Sequence, residues 1–167
     1  MKAELKQLNP VEEADIYEMA LEIGKGENGF VNGLYAENME QFLEQLSRYD
    51  RMSTGVDMPD GFVPQTIYWL YVNEEPIGYG KLRHRLNEKL LERGGHIGYV
   101  IRRSERGKGY GKLLLEQLLR KAKGKNITEV LLTVDEHNVS SRKIIEANDG
   151  ELTEWKDGIC KYWIKLV

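Results

Sequence analysis

The densest chemistry in the chain lies in one short run: Arg106, Gly107, Lys108, Gly109, Tyr110, Gly111 and Lys112. An apolar stretch precedes it at 96–101 and a leucine-rich stretch follows at 113–122. The spacing predicts a strand, a bend and the start of a helix. Without Cβ atoms the backbone N–H groups of such a bend can turn together toward an anion at the helix N-terminus, which makes a phosphate cradle. From Arg102 to Lys112 the cations Arg102, Arg103, Arg106, Lys108 and Lys112 face one acid, Glu105, so a small polyanion is the implied partner. Two commoner cradles do not fit. A P-loop requires glycine where Arg106 stands and serine or threonine where Leu113 stands, and the dinucleotide fingerprint requires glycine in place of Lys112. A tight turn without a ligand remains the alternative reading of the glycines.

The elements around the bend follow from periodicity. Residues 11–23 and 38–49 have helical spacing, with Ile16, Met19, Ala20 and Ile23 on one face of the first and Met39, Phe42, Leu43 and Leu46 on one face of the second. A glycine-rich loop, 24–33, separates them. Residues 51–64 have no period and read as a long loop that could border an acceptor site. The stretches 65–72 and 77–83 are rich in aromatic and β-branched residues and flank Asn73, Glu74, Glu75 and Pro76, a hairpin signal. A helix at 113–122 stops at Gly124, a buried strand covers 129–134, and Asn138 with Ser140 or Ser141 offers capping side chains to a short helix ending near Gly150. The strand 159–166 sets Cys160, Tyr162, Ile164 and Leu166 against Lys161, Trp163 and Lys165.

A chain of 167 residues, 41% of them hydrophobic, suits one domain with one substantial core. Its net charge of −3 argues against a general nucleic-acid binder, which needs a basic excess. Lys2, Glu4 and Lys6 interrupt the first residues, and no apolar run approaches a membrane span, so a cytoplasmic protein without membrane or nucleic-acid partners is expected. One cysteine, Cys160, forms no internal disulfide and reads as a packed thiol. The histidines lack HxxxH or HxH spacing, so no metal is expected.

Arg106-x-x-Gly109-x-Gly111, between its strand and helix, closely resembles the pyrophosphate motif of the GNAT N-acetyltransferase superfamily. Asn138-Val139-Ser140-Ser141 resembles that family's second cofactor signature. The segments 83–87, 94–99 and 141–148 look like a bacterial subgroup of predicted acetyltransferases. The likeness spans 65–167, and residues 1–64 match only in being helical. It implies one acetyltransferase domain over 1–167, with 1–64 a helical acceptor-side region and 65–167 the sheet and cofactor-binding core. The implied fold is α/β (α+β), with a mixed, mostly antiparallel central sheet flanked by helices. Strand 97–101 is expected to bulge and splay from 129–134, leaving a gap for the pantetheine arm.

By the same resemblance, acetyl-CoA is the acetyl donor. Tyr99, Val100 and Ile101 line its pantetheine arm, residues Gly107, Lys108, Gly109, Tyr110, Gly111 and Lys112 hold the diphosphate, Arg106 shapes the loop, and Asn138 and Ser141 reach the pantetheine region. The acceptor is an amine of a small molecule or peptide. Apart from the resemblance, the acids Glu12, Glu13, Asp15 and Glu18 could attract a cationic amine, with a solvated helix face as the alternative reading. A homodimer is compatible with the family. An amine of reference pKa ~10 must lose a proton before attack. His96 is the leading base, with a backbone-bonding role at a strand end as its alternative; His84, Glu136 and His137 follow. Amides near Gly98 and Tyr99 would hold the oxyanion. The family's tyrosine acid corresponds to Ile145, which leaves Tyr99, Tyr110 or water. That substitution also supports a second reading, a non-catalytic acyl-CoA sensor. Valine at Gly109 and Gly111 together is expected to block the cradle and leave the fold intact.

Overall fold

Along residues 65–72 the side chains alternate between two apolar layers, as the period of two in an extended chain requires. Tyr68, Leu70 and Val72 enter one layer; Ile67 and Trp69 enter the other. The chain, described here from a computed structural model over residues 1–11, 14–56 and 58–166, runs β1 (Ala3–Gln7), α1 (Ala14–Ile23), β2 (Gly26–Glu27), β3 (Phe30–Val31), α2 (Met39–Ser53), β4 (Gln65–Val72), β5 (Glu75–Arg83) and α3 (Glu88–Glu92). It continues with β6 (Ile97–Ile101), α4 (Tyr110–Gly124), β7 (Glu129–Asp135), α5 (Val139–Ala147), β8 (Glu151–Lys156) and β9 (Ile159–Lys165). Glu12 and Glu13, expected to lie at the head of the first helix, are outside the described residues.

Four strands in the order β1-β4-β5-β6 form one antiparallel sheet, and β7-β9-β8 form a second. The first layer packs α4 and α5 against both sheets, with Leu114, Leu115 and Leu118 fully buried. Each such leucine contributes about 1.5–3 kcal/mol of transfer free energy. The second layer packs α1 and α2, through Ile16, Met19, Phe42 and Leu46, on the opposite face of β4 and β5. Cys160 and Tyr162 are completely buried in the first layer.

Asn38 caps α2 by accepting from the Gln41 N–H at 2.9 Å, and Asn138 caps α5 through the Ser141 N–H at 3.2 Å. Asn73 and Glu74, both at positive φ, make the expected turn between β4 and β5. Helix α2 runs on to Ser53, which shortens the loop expected from 51.

Three expectations change. Residues 1–64 are not only helical, because β1 pairs along β4 from Ala3↔Val72 to Gln7↔Tyr68. The glycine-rich loop contains a hairpin, β2 and β3, turned by Asn28 and Gly29 at φ 50° and 86°. Strand β6 does not bulge: its register with β5 is unbroken from Leu82↔Ile97 to Gly78↔Ile101.

Candidate functional site

The two sheets meet where β6 and β7 come together, and backbone bonds between His96 and Leu131 and a bond from the Gly94 N–H to the Thr133 hydroxyl at 2.7 Å join them there. His96 donates its N–H to the Leu131 carbonyl at 2.8 Å, and the Leu131 N–H donates to Nδ1 of His96 at 2.9 Å. Past this point the strands share no ladder. The Arg83 N–H bonds to the His96 carbonyl and the Arg102 N–H to the Ile77 carbonyl. Antiparallel alternation therefore directs the backbone of Gly98 and Val100 toward β5, and that of Ile97, Tyr99 and Ile101 away from it, into the gap. On β7 the Leu131 backbone faces β6, so Thr133, two residues on, faces the same way. The gap has strand-edge donors and acceptors on both walls. An amide-bearing arm such as pantetheine suits it, because such an arm can bond as a strand does. Tyr99, and not Gly98, supplies the N–H that an oxyanion could use.

This gap belongs to a cleft of about 620 Å³ that runs from the glycine bend to the β2–β3 hairpin. At the bend, Gly107 and Gly109 have φ of 77° and 85°, and a Cβ on either would meet nothing within 4 Å. Their left-handed backbone, which side chains resist, turns the chain into α4. The N–H groups of Tyr110, Gly111 and Lys112 open that helix and have no carbonyl one turn back inside it. They and the positive end of the helix dipole suit a diphosphate.

Gly111 has a different role. A Cβ there would lie 2.8 Å from Cδ1 of Ile144, so this glycine lets α4 approach α5. Valine at Gly109 and Gly111 thus cannot spare the fold as expected from sequence, because one position needs positive φ and the other has a helix against it.

Arg106 donates from Nε to the Ile101 carbonyl at 2.9 Å, and its Nη2 pairs with Glu27 of the hairpin at 2.5 Å. The guanidinium thereby fastens the bend to the end of β6 and to the hairpin. Lys108 turns outward to Glu105 at 2.8 Å and does not line the cleft, whereas Gly107, Gly109, Tyr110, Gly111 and Lys112 do. Asn138 and Ser141 line it as well. The Oδ1 of Asn138 is spent on capping α5, and the Ser141 hydroxyl lies 2.7 Å from that of Tyr99. Burial pushes the Tyr99 phenol up to about 12, although the Ser141 bond opposes this, so it stays protonated at neutral pH.

His96 is turned away from the cleft. Its Nδ1 is occupied by the Leu131 N–H, so in the neutral ring the proton sits on Nε2 and no free lone pair remains. Burial, with Arg83 nearby, lowers it to about 4. The geometry supports the backbone-bonding role at the strand end and not that of a base. His84 bonds Thr66, Glu136 accepts from the Trp155 indole at 2.7 Å, and the His137 side chain is 93% exposed; none of these lines the cleft.

The hairpin end of the cleft is lined by residues that sequence reasoning passed over: Phe30, Lys81, Arg83, Arg93, Thr133 and Asp135. Arg83 donates to the carbonyls of Gly94 and Gly95 at 3.0 and 3.2 Å, and Arg93 pairs with Asp135 at 3.2 Å. Lys81 is buried. The Asn28-Gly29 pair was a readable signal for the hairpin. A lysine inside a strand gives no comparable signal for the cleft.

A model of the acetyltransferase (GNAT) family matches residues 31–148. Among curated proteins no sequence matches the chain. Several solved structures share its fold. RimL, a ribosomal L7/L12 alpha-N-protein acetyltransferase solved with coenzyme A, has a TM-score of 0.73 at 15% identity, over 99% of this chain and 95% of that one. The yncA protein of Salmonella typhimurium, a putative acetyltransferase solved with acetyl-CoA, has 0.66 at 12% identity, over 99% and 94%. The paia N-acetyltransferase of Thermoplasma acidophilum, solved with coenzyme A, has 0.64 at 19% identity, over 99% of each chain. At these identities the likeness concerns the fold.

Proposed function

The chain belongs to the GNAT acetyltransferase family, and from that premise we propose that it transfers an acetyl group from acetyl-CoA to a primary amine of a small molecule or peptide by direct attack in a ternary complex. The observation that carries this reading is the continuity of the cleft. One channel joins the amide-rich bend at residues 107–112 to the strand edges of β6 and β7 and opens beside the hairpin. A donor with an anionic tail, an amide-bearing arm and a reactive end matches that order of surfaces. The three solved relatives above carry acetyl-CoA or coenzyme A.

In this reading the first amides of α4 hold the diphosphate, and the wall at Tyr99 and Thr133 pairs with the arm. The Tyr99 N–H is directed to where negative charge would develop on the thioester oxygen. The Tyr99 phenol is held too firmly to give its proton outright to a thiolate whose conjugate acid lies near ~8.5. It is suited to donate a hydrogen bond to the departing sulfur when the Ser141 hydroxyl is the donor in their pair. This phenol supports the transferase reading over a sensor. Ile145 is buried on α5 where the family's acid would stand, but a tyrosine is available from the facing strand.

The test is CoA release from acetyl-CoA by the purified protein, with spermidine, kanamycin, a peptide with a free α-amine and a peptide with a lysine ε-amine. Turnover with any of them supports the transferase. Saturable acetyl-CoA binding by calorimetry with no turnover favours the sensor, and absence of binding removes both.

A further inference from the structure

We propose that the amine of Lys81 is the base that takes the proton from the acceptor's ammonium, an inference that rests on the N-acetyltransferase reading above.

Its position comes from the ladder. Lys81 on β5 lies directly across from Gly98 on β6, in a pair whose backbones bond to each other, so both residues point to one face. On that face Gly98 contributes no side chain, and the Phe30 ring lies only 3.6 Å from where its Cβ would be. Lys81 therefore reaches the cleft next to the backbone step at which the Tyr99 N–H turns into the gap. It lines the cleft and is 7% exposed.

Its partners leave it usable as a base. Nζ donates to the Val31 carbonyl at 2.5 Å and lies 4.5 Å from the centre of the Phe30 ring. Among the described residues no carboxylate pairs with it. A buried ammonium without a counter-ion is costly, and one carbonyl with one ring offsets only part of that cost. Burial first, and Arg83 second, lower it to about 7. A neutral primary amine has two N–H bonds and one lone pair. Bonding to Val31 uses one N–H and leaves the lone pair free, so the same carbonyl orients Nζ in both protonation states.

Among the described residues, the charged groups around it are engaged elsewhere and leave Lys81 as the available base. Arg83 shares its strand and is held by Gly94 and Gly95; Arg93 and Asp135 are paired across the cleft, as are Arg106 and Glu27. Tyr49 from α2 is half-buried, and desolvation raises its phenol. α1 turns Ile16, Met19, Ala20 and Ile23 inward, and α4 packs leucines on the opposite face. His96, on the strand beside it, is neutral with Nδ1 engaged.

The Lys81 lone pair removes one proton from R–NH3⁺, giving R–NH2 and a Lys81 ammonium. The amine nitrogen then bonds to the thioester carbon while the C=O π pair moves to oxygen. When that pair returns, the C–S bond breaks with its electrons on sulfur, and the second proton from nitrogen completes CoA–SH. Lys81 returns its proton to solvent, for a net release of one H⁺.

The experiment compares wild type, Lys81→Met and Lys81→Arg with acetyl-CoA and the four amines above across pH. Both variants should bind acetyl-CoA with unchanged affinity by calorimetry and release CoA about 100-fold more slowly at neutral pH. The defect should shrink as pH approaches the amine's own ~10, because the acceptor then arrives neutral. Wild-type turnover should rise through a limb near 7 that both variants lack. If Lys81→Arg keeps the parental rate, the site needs a fixed cation, such as an anchor for an acceptor carboxylate, and the base is wrong. If Lys81→Met keeps the rate and the limb, Lys81 has no part in the step while the transferase stands. A wild type that binds acetyl-CoA but acetylates none of the amines overturns the transferase reading and this role with it. Independently of turnover, a lysine Cε resonance absent in Lys81→Arg should titrate near 7 by ¹³C NMR; titration in the ordinary lysine range overturns the proposal even where a variant folds poorly.

Discussion

The N–H of Leu131 donates to Nδ1 of His96 at 2.9 Å, while the Leu131 carbonyl accepts the His96 N–H at 2.8 Å. Both backbone groups of one β7 residue are thus satisfied by one histidine at the start of the facing strand, where the two sheets meet. An unfolded histidine titrates near 6.5, and burial with Arg83 lowers this one to about 4. Below 6.5 the unfolded chain takes up a proton that the fold refuses, so stability declines as pH falls from 6.5 toward 4. His96→Ala should lower stability at neutral pH by about 1–3 kcal/mol, since the Leu131 N–H loses its acceptor. It should also flatten the dependence of melting temperature on pH in that window. The pH profile of turnover should keep its shape; a lost acid limb in this variant would return His96 to the chemistry.

Arg106 links the glycine bend to the end of β6 and to the β2–β3 hairpin. Its bond to the Ile101 carbonyl is charge-assisted and partly buried, whereas its pair with Glu27 is more than one-third exposed on the arginine side. The first should therefore matter more. Arg106→Met is expected to weaken acetyl-CoA binding about 10-fold by calorimetry, and Glu27→Gln by no more than about 5-fold. Equal losses in the two variants would mean that the hairpin, and not the bend, governs donor binding.

Gly111 should report helix packing. Gly111→Val forces methyl groups against Ile144 and should cost about 1–3 kcal/mol in thermal or urea denaturation. Adding Ile144→Ala makes room on α5 and should recover much of that stability. If acetyl-CoA binding stays absent in the recovered double variant, the valine also obstructs the amides of the bend.

Tyr99→Phe removes a phenol and keeps the ring. Loss of one hydrogen bond to the leaving sulfur should lower kcat about 10-fold, with acetyl-CoA affinity nearly unchanged. Ser141→Ala leaves that phenol in place and should have a smaller effect on kcat. If Tyr99→Phe turns over at the parental rate, the sulfur departs without help from this residue.

Where burial wrote a pattern into the chain, the sequence could be read. The leucines of α4 repeat at helical spacing, Cys160, Tyr162 and Ile164 alternate inward, and Asn73-Glu74 marks its turn. β1 and β8 left no such trace. Ala3, Glu4, Lys6 and Gln7 are exposed, with Leu5 only half-buried, and all six residues of β8 are exposed; both strands are held by ladder bonds to β4 and β9. The glycine bend was legible because the glycines themselves set its backbone, with Gly107 and Gly109 at positive φ. Lys81 was not, because a lysine between Gly80 and Leu82 on a strand reads as an outward charge, and only the hairpin folded over it creates its environment. His96 had two readings, a base or a backbone-bonding residue at a strand end, and its geometry matches the second; that Leu131 would be the residue bonding its ring could not be inferred from spacing.

The complete burial of Cys160, which is the single cysteine of the chain, has a practical consequence. Burial also raises its thiol, so little thiolate is present to react. A disulfide-exchange dye added to the folded protein should give a flat baseline, and every increment of colour during turnover would then count one molecule of liberated coenzyme A in real time.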